Sequence, residues 1–176
     1  PDWVSQYPVA TKLYSYTDSP VKYSVEVNGS SIRPNVHDGY ITINRTWKSG
    51  DKIAVDFPMN VRRVRACDSV YDDKGLLAIQ RGPIVYCLEG IDQSDKHVFN
   101  KYIPENAEFT EEFKGDKLNG IVELKTTARV LLENGTDTIM QVTAIPYSTW
   151  NNRGKSEMIV WIPESAEYAK PTPAPT

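Results

Sequence analysis

Tyr147, Trp150, Asn151, Asn152 and Arg153 crowd into one short segment, Ile145-Pro-Tyr-Ser-Thr-Trp-Asn-Asn-Arg-Gly154. That combination has a defined chemistry. Aromatic faces stack on the C–H surfaces of sugars, while amide and guanidinium N–H groups donate to hydroxyls. The same five residues also fit a structural use. In that use Trp150 plugs the end of a core or a domain interface, and Arg153 pairs with an acid there. The structural use is preferred, so the five are candidates for a carbohydrate contact or a domain interface.

No other constellation in the chain is as concentrated. The two histidines, His37 and His97, lie 60 residues apart in polar, turn-like settings and read as solvated loop residues. No Gly-x-Ser-x-Gly is present to present a serine nucleophile, and there is no phosphate loop or dinucleotide fingerprint. Cys67 and Cys87 with two remote histidines do not provide the three or four ligands that zinc needs. Among 23 acidic residues a glycosidase-type pair such as Asp72 with Glu89 is open, yet nothing singles it out. Arg62-Arg63-x-Arg65 reads as a strand whose side chains pair with neighbouring acids; its alternative is a docking surface for another domain or an anionic sugar. Asn28, Asn44 and Asn134 each begin an Asn-x-Ser/Thr triplet, and Asn28-Gly29 and Asn134-Gly135 are better explained as turns. No catalytic residue and no metal ligand is assigned.

Residues capable of chemistry must be held by a fold, and the sequence points to strands. The chain has 176 residues and a formal net charge of −3, with a sequence pI near 5.5. It offers no basic footprint for nucleic acid and no apolar run near the roughly 20 residues of a membrane-spanning helix. Tyr23, Val25 and Val27 share a face before Asn28-Gly29, which supplies the left-handed residues of a tight hairpin. Ile53, Val55 and Phe57 alternate with polar or small residues. Further strands are expected at 76–79, 84–88, 120–125, 128–132, 138–145 and 157–162. The stretch 104–113 carries too little helical periodicity for more than one turn of helix or an irregular loop. Many short strands at close spacing predict an all-β fold, a β-sandwich of jelly-roll-like antiparallel sheets. Polar, weakly patterned 92–112 looks like a seam. The expected division is 1–10 as a lead-in from an upstream domain, 11–91 and 92–165 as two sandwich parts, and 166–176 as a Pro-rich linker or tail. Both ends read as cuts within a longer polypeptide.

The cysteines allow one disulfide or none. If 72–75 folds 61–70 back on 76–88, position 67 faces about position 80 and Cys87 faces about position 60. That separation is too large for a bridge, so buried free thiols are preferred, with a bridge through another strand pairing as the alternative.

Four stretches in order carry a family resemblance: Val25-Glu-Val-Asn-Gly29; Gly39-Tyr-Ile-Thr-Ile-Asn-Arg-Thr-Trp-Lys-Ser-Gly-Asp51; Asp73-Lys-Gly-Leu-Leu-Ala-Ile-Gln-Arg-Gly-Pro-Ile-Val-Tyr-Cys-Leu-Glu89; and 145–154 with Met158-Ile-Val-Trp161. Over about residues 22–162 the chain resembles the C-terminal β-sandwich region of glycoside hydrolase family 127, and is similar to the related family 146. These contain bacterial β-L-arabinofuranosidases. The resemblance implies a parent whose (α/α)6 barrel does the chemistry, with a cysteine nucleophile at a zinc site that includes an adjacent Cys-Cys pair. This chain has no such pair, so neither cysteine inherits that role and zinc is implied only for the parent's catalytic domain. The implied function is a non-catalytic accessory region packing against that upstream domain, and the alternative is an independent carbohydrate-binding module for plant or pectic glycans. A periplasmic or secreted location follows from the resemblance alone.

Overall fold

Alternating side chains separated by glycine, proline and asparagine turns build short strands throughout the computed structural model, which describes residues 1–171. The last part of the expected 166–176 tail, 172–176, lies outside the described residues. The first strands are β1 (Tyr14–Tyr16), β2 (Ser24–Val27), β3 (Ser30–Ile32), β4 (Asn35–His37), β5 (Tyr40–Thr42) and β6 (Ile53–Asp56). They are followed by β7 (Val61–Ala66), β8 (Leu76–Arg81), β9 (Ile84–Glu89), β10 (Lys101–Tyr102) and β11 (Phe109–Lys114). The longest pair, β12 (Ile121–Leu131) and β13 (Asp137–Pro146), precedes β14 (Met158–Ile159) and β15 (Ile162–Pro163). The all-β sandwich expected from the sequence is the observed class.

Two small antiparallel units come first: a three-stranded sheet in the order β3-β2-β6 and the hairpin β4-β5. Val25 and Val27 of β2 are buried, and Asn28 and Gly29 take φ of 54° and 76° in the two-residue turn to β3. Positive φ at both positions is what such a turn demands, which is why Asn-Gly occupies it. All other strands join a ten-stranded sheet along the path β1-β7-β8-β9-β13-β12-β10, with β11 on β12. The sheet takes strands from both sides of position 91, because β13 pairs with β9 at Ala144–Leu88, Ile145–Cys87 and Pro146–Tyr86. Its core gathers Leu77, Ile79, Tyr86, Leu88, Leu124 and Ile162, all fully buried. The buried Tyr86 hydroxyl donates to the Val122 carbonyl at 2.9 Å, so no polar atom of that side chain is stranded.

The hairpin β8–β9 is closed only at its turn end. Pairing runs from Arg81–Ile84 to Ile79–Tyr86, after which the two strands part. The segment 158–163 enters the gap: β14 pairs with β9 at Glu89 and Leu88, and β15 pairs with β8 at Leu77 and Leu76. Backbone groups that the parting exposes thereby regain partners.

Four sequence expectations are corrected. The single strand expected at 157–162 is two, because it bridges two neighbours in turn. Strands expected at 120–125 and 128–132 are one, since Thr126 and Thr127 continue the ladder to Val142 and Gln141. The stretch 104–113 ends in a true strand, β11, held by six pairs to β12 and by Lys125 on Glu112 at 2.6 Å. Finally, β7 does fold back on β8, but as Val61–Arg81 to Val64–Ala78, because 67–74 forms a longer connection with a 3-10 turn at Tyr71–Asp73.

Arg62 fastens the N-terminal segment to β7. Its Nε donates to both Asp18 carboxylate oxygens at 2.8 and 3.0 Å, and its terminal nitrogens donate to the carbonyls of Trp3, Ser5, Asp18 and Ser19. The guanidinium also lies 3.5 Å from the Tyr16 ring centroid. Every donor of the group has an acceptor. We expect Arg62→Leu to lower unfolding free energy by about 2 kcal/mol in urea, because the buried guanidinium's bonds to Asp18 and to four backbone carbonyls are lost while half-exposed Asp18 can be hydrated. Hydrogen exchange should accelerate over residues 3–19 before the rest of the chain; uniform acceleration would contradict this anchoring role.

Candidate functional site

The 147–154 segment folds tightly on itself directly after β13. A 3-10 turn spans Tyr147–Thr149, with the Thr149 hydroxyl donating to the Pro146 carbonyl at 2.7 Å. The Asn152 amide donates to the carbonyls of Thr149 and Trp150, and Asn151 reverses the chain at a φ of 61°. Tyr147 and Trp150 lie nearly parallel, 6.3 Å apart at 16°. Tyr147 is 43% exposed, whereas Trp150 packs beside buried Cys87, Ile121 and Ile145.

Arg153 turns inward onto acids. Its terminal nitrogens reach both Asp92 oxygens at 2.6 Å and Glu89 Oε2 at 2.5 Å. Glu89 is 1% exposed at the end of β9, and its other oxygen accepts the Asn151 backbone N–H at 3.0 Å. Lys117 bridges Asp92 and Glu123 at 2.6 and 2.5 Å. Burial pushes the Asp92 carboxyl up, but hydrogen bonds and charge from Arg153 and Lys117 outweigh it and hold the group below its ordinary value of 3.8. The Asp92 hydrogen bond likewise raises Arg153 above the usual arginine range. Three carboxylates and two cations thus form one closed array that fixes the loop to β9 and β12.

The remaining candidates are dispersed. Exposed His37 contacts Asp38 at 3.1 Å. His97 is not the solvated loop residue expected: it is partly buried against Glu157 Oε1 at 3.1 Å, with Glu157 also accepting the Val98 N–H. Asp72 lies exposed in its 3-10 turn, while Glu89 is enclosed by Arg153 and Asn151, so they share no surroundings. Arg65 pairs with Glu164, whereas Arg63 donates to the carbonyls of Pro104 and Ala107 rather than to acids. Asn28 and Asn134 are turn residues, as the triplet analysis prefers.

Both cysteines are free. Cys87 is fully buried and its thiol is pushed up to about 12, chiefly by burial. Cys67 is only partly buried, contrary to expectation, and the Ser69 hydroxyl at 2.9 Å lowers its thiol. A zinc–thiolate centre does not fit these residues, since one sulfur is a neutral core group and the other sits alone. Among the described residues no three His, Cys, Asp or Glu side chains gather as a metal-binding group.

Sequence reasoning found Arg153 but not its partner Asp92, nor Lys117 and Glu123, which extend the array beyond Asp92. They come from a 3-10 turn, a loop and β12, so no local spacing links them; the only signal is the preference of a loop arginine for an acid.

Comparison with known proteins agrees with this architecture. Residues 61–163 match the model of the glycoside hydrolase family 127 C-terminal domain, and residues 1–59 match the beta-L-arabinofuranosidase, GH127 middle domain. A non-reducing end beta-L-arabinofuranosidase from Bifidobacterium longum subsp. longum is 30% identical over 157 residues, covering 79% of this chain and 23% of that protein. The solved GH127 beta-arabinofuranosidase BT3674 is 36% identical with a TM-score of 0.88, over 97% of this chain and 27% of that one. A GH127 beta-L-arabinofuranosidase from Geobacillus stearothermophilus T6 is 33% identical with a TM-score of 0.78, over 82% of this chain and 25% of that one. The chain therefore spans about a quarter of the length of these relatives.

Two outcomes follow from the geometry. Arg153→Met should cost about 3 kcal/mol at neutral pH, because Glu89 keeps a buried charge without its partner. The Asp92 carboxyl, held low by Arg153 and Lys117, stabilises the fold above its ordinary value and loses that contribution as pH falls through its folded value. The gap between the two proteins in thermal unfolding should therefore narrow from about pH 5 to about pH 3, and a gap constant with pH would refute the array. In a separate test, maleimide should label Cys67 in the native protein and reach Cys87 only after unfolding, as read by mass spectrometry of peptides.

Proposed function

The chain belongs to glycoside hydrolase family 127, and from that premise we propose that its 176 residues are the non-catalytic accessory region of a β-L-arabinofuranosidase-like enzyme. In this reading it packs against an (α/α)6 catalytic barrel and steadies it. The zinc-dependent chemistry resides in that barrel, and the parent works in a periplasmic or secreted setting. The observation that carries the reading is the state of the acids. Glu89, Asp92 and Glu123, the enclosed carboxylate cluster, are bound by Arg153, Lys117 and a backbone N–H, which leaves none poised for acid–base work. Surface also supports it. Ile53 and Val55 of β6 lie across from buried Val27 and Val25 yet are 52% and 42% exposed, apolar area of the kind a neighbouring domain covers.

A second reading, an independent carbohydrate-binding module, is favoured by one observation: the exposed Tyr147 ring held parallel to Trp150. Trp150→Ala in the parent enzyme separates the two. Accessory packing predicts a loss of about 3 kcal/mol in stability with an unchanged Michaelis constant. A raised Michaelis constant at unchanged turnover would favour the sugar contact. The isolated chain should release no arabinose from β-L-arabinofuranosides in a reducing-sugar assay; turnover by the chain alone would overturn the proposal.

A further inference from the structure

Four aromatic residues from separate parts of the sequence meet in a groove of about 570 Å³: Tyr71, Phe99, Trp161 and Tyr168. Tyr71 is 82% exposed and Phe99 40%, so two rings are open to solvent. The walls are fixed by the backbone. The Glu164 N–H donates to the Gly75 carbonyl at 3.0 Å, and the Lys170 N–H donates to the Phe99 carbonyl at 2.8 Å. The Tyr168 ring rests directly on Gly75: a Cβ at that residue, whose φ is +73°, would lie 2.2 Å from the ring. Trp161 is anchored from another side by Tyr14, stacked at 5.6 Å. The Trp161 and Tyr168 rings are therefore positioned before any ligand arrives, which lowers the ordering cost of binding.

The rim decides the kind of ligand. Asp72 and Glu167 supply carboxylate acceptors, and Lys74 and Lys170 supply ammonium donors. Two charges of each sign cancel, so the groove favours neither an anion nor a cation, while offering hydrogen-bonding groups of both kinds beside flat apolar faces. A neutral polyhydroxylated chain matches that pattern: its C–H faces stack on rings and its hydroxyls both donate and accept. We propose that this groove binds a neutral oligosaccharide. The site is separate from the 147–154 loop and does not rest on either reading of it.

The test is a ¹⁵N amide titration of the 176-residue chain with a neutral arabinofuranosyl trimer, a neutral glucosyl trimer and an anionic galacturonyl trimer. Saturable shifts over residues 71–76, at Phe99 and at Tyr168 are expected with a neutral trimer and not with the anionic one. Tyr71→Ala should weaken binding about tenfold, the loss of one stacked ring. Its exposure makes a folded variant with an otherwise unchanged spectrum the expectation. Phe99→Ala should also weaken binding, and Tyr147→Ala should leave it unchanged. The proposal is overturned by no shifts up to about 10 mM sugar, by shifts confined to 147–153, or by preference for the anionic trimer. It is also overturned if the groove amides move with protein concentration alone, which would assign the groove to a second copy of the chain.

Discussion

Everything in the larger sheet depends on a hairpin that does not stay closed. After Ile79 and Tyr86, β8 and β9 separate, and the strands are sealed only because 158–163 hydrogen-bonds first to one and then to the other. A buried backbone group without a partner is costly, so the parting is tolerable only with that segment in place. The consequence is long-range. Residues near position 160 complete ladders begun near positions 77 and 88, and Ile162 enters the same core as Leu77 and Leu88. The ladders β7–β8, β8–β9, β11–β12 and β12–β13 join consecutive strands, whereas β13, β14 and β15 close on β9 and β8 only over long separations, the slow kind of β pairing.

Buried charge follows the same logic of completion. Arg62, Lys101 and Glu89 are all nearly inaccessible, and each has its hydrogen-bonding capacity met by fixed partners. Lys101 Nζ reaches both Asp95 oxygens, the His97 carbonyl and Asn100. Such ions add little net stability over apolar substitutes, because desolvation offsets the attraction. Their effect is geometric: each ties one irregular stretch, 3–19, 95–101 or 147–153, to a strand that would accept no other occupant without stranding a charge. The loops of this protein are thus positioned by ions and its strands by apolar burial.

Much of that was legible from sequence, and the boundary is physical. Period-two alternation identified the all-β class, and Asn28-Gly29 located its turn because two left-handed residues in succession admit few substitutes. The resemblance carried by 73–89 and 145–161 reached the right family. What alternation does not encode is pairing. It placed β7 against β8 with the register off by several residues, because the length of the 67–74 connection is not written in hydrophobicity. It also missed β11, whose exposed Glu111, Glu112 and Phe113 carry no buried stripe; cross-strand partners on β12 and β8 stabilise it instead. Arg153 was legible as an arginine in need of an acid, while the identity of that acid required the fold.

The most motif-like segment and the most open aromatic surface turn out to be different places, for a reason that extends beyond this chain. A dense local motif such as 147–154 makes heavy demands on its own backbone: a 3-10 turn, a left-handed asparagine, amide caps and an ion pair. The Arg153 terminal nitrogens and the Asn152 amide are consumed by meeting those demands, while Tyr147, Ser148 and Asn151 stay exposed. The groove of Tyr71, Phe99, Trp161 and Tyr168 is built the opposite way. Its segments are secured by backbone hydrogen bonds, Glu164 to Gly75 and Lys170 to Phe99, and by Trp161 on Tyr14 and Tyr168 on Gly75, so the Tyr71 and Phe99 rings are left spare. Side chains free to meet a ligand are those whose segments do not need them for folding, and such residues leave no compact signature in the sequence.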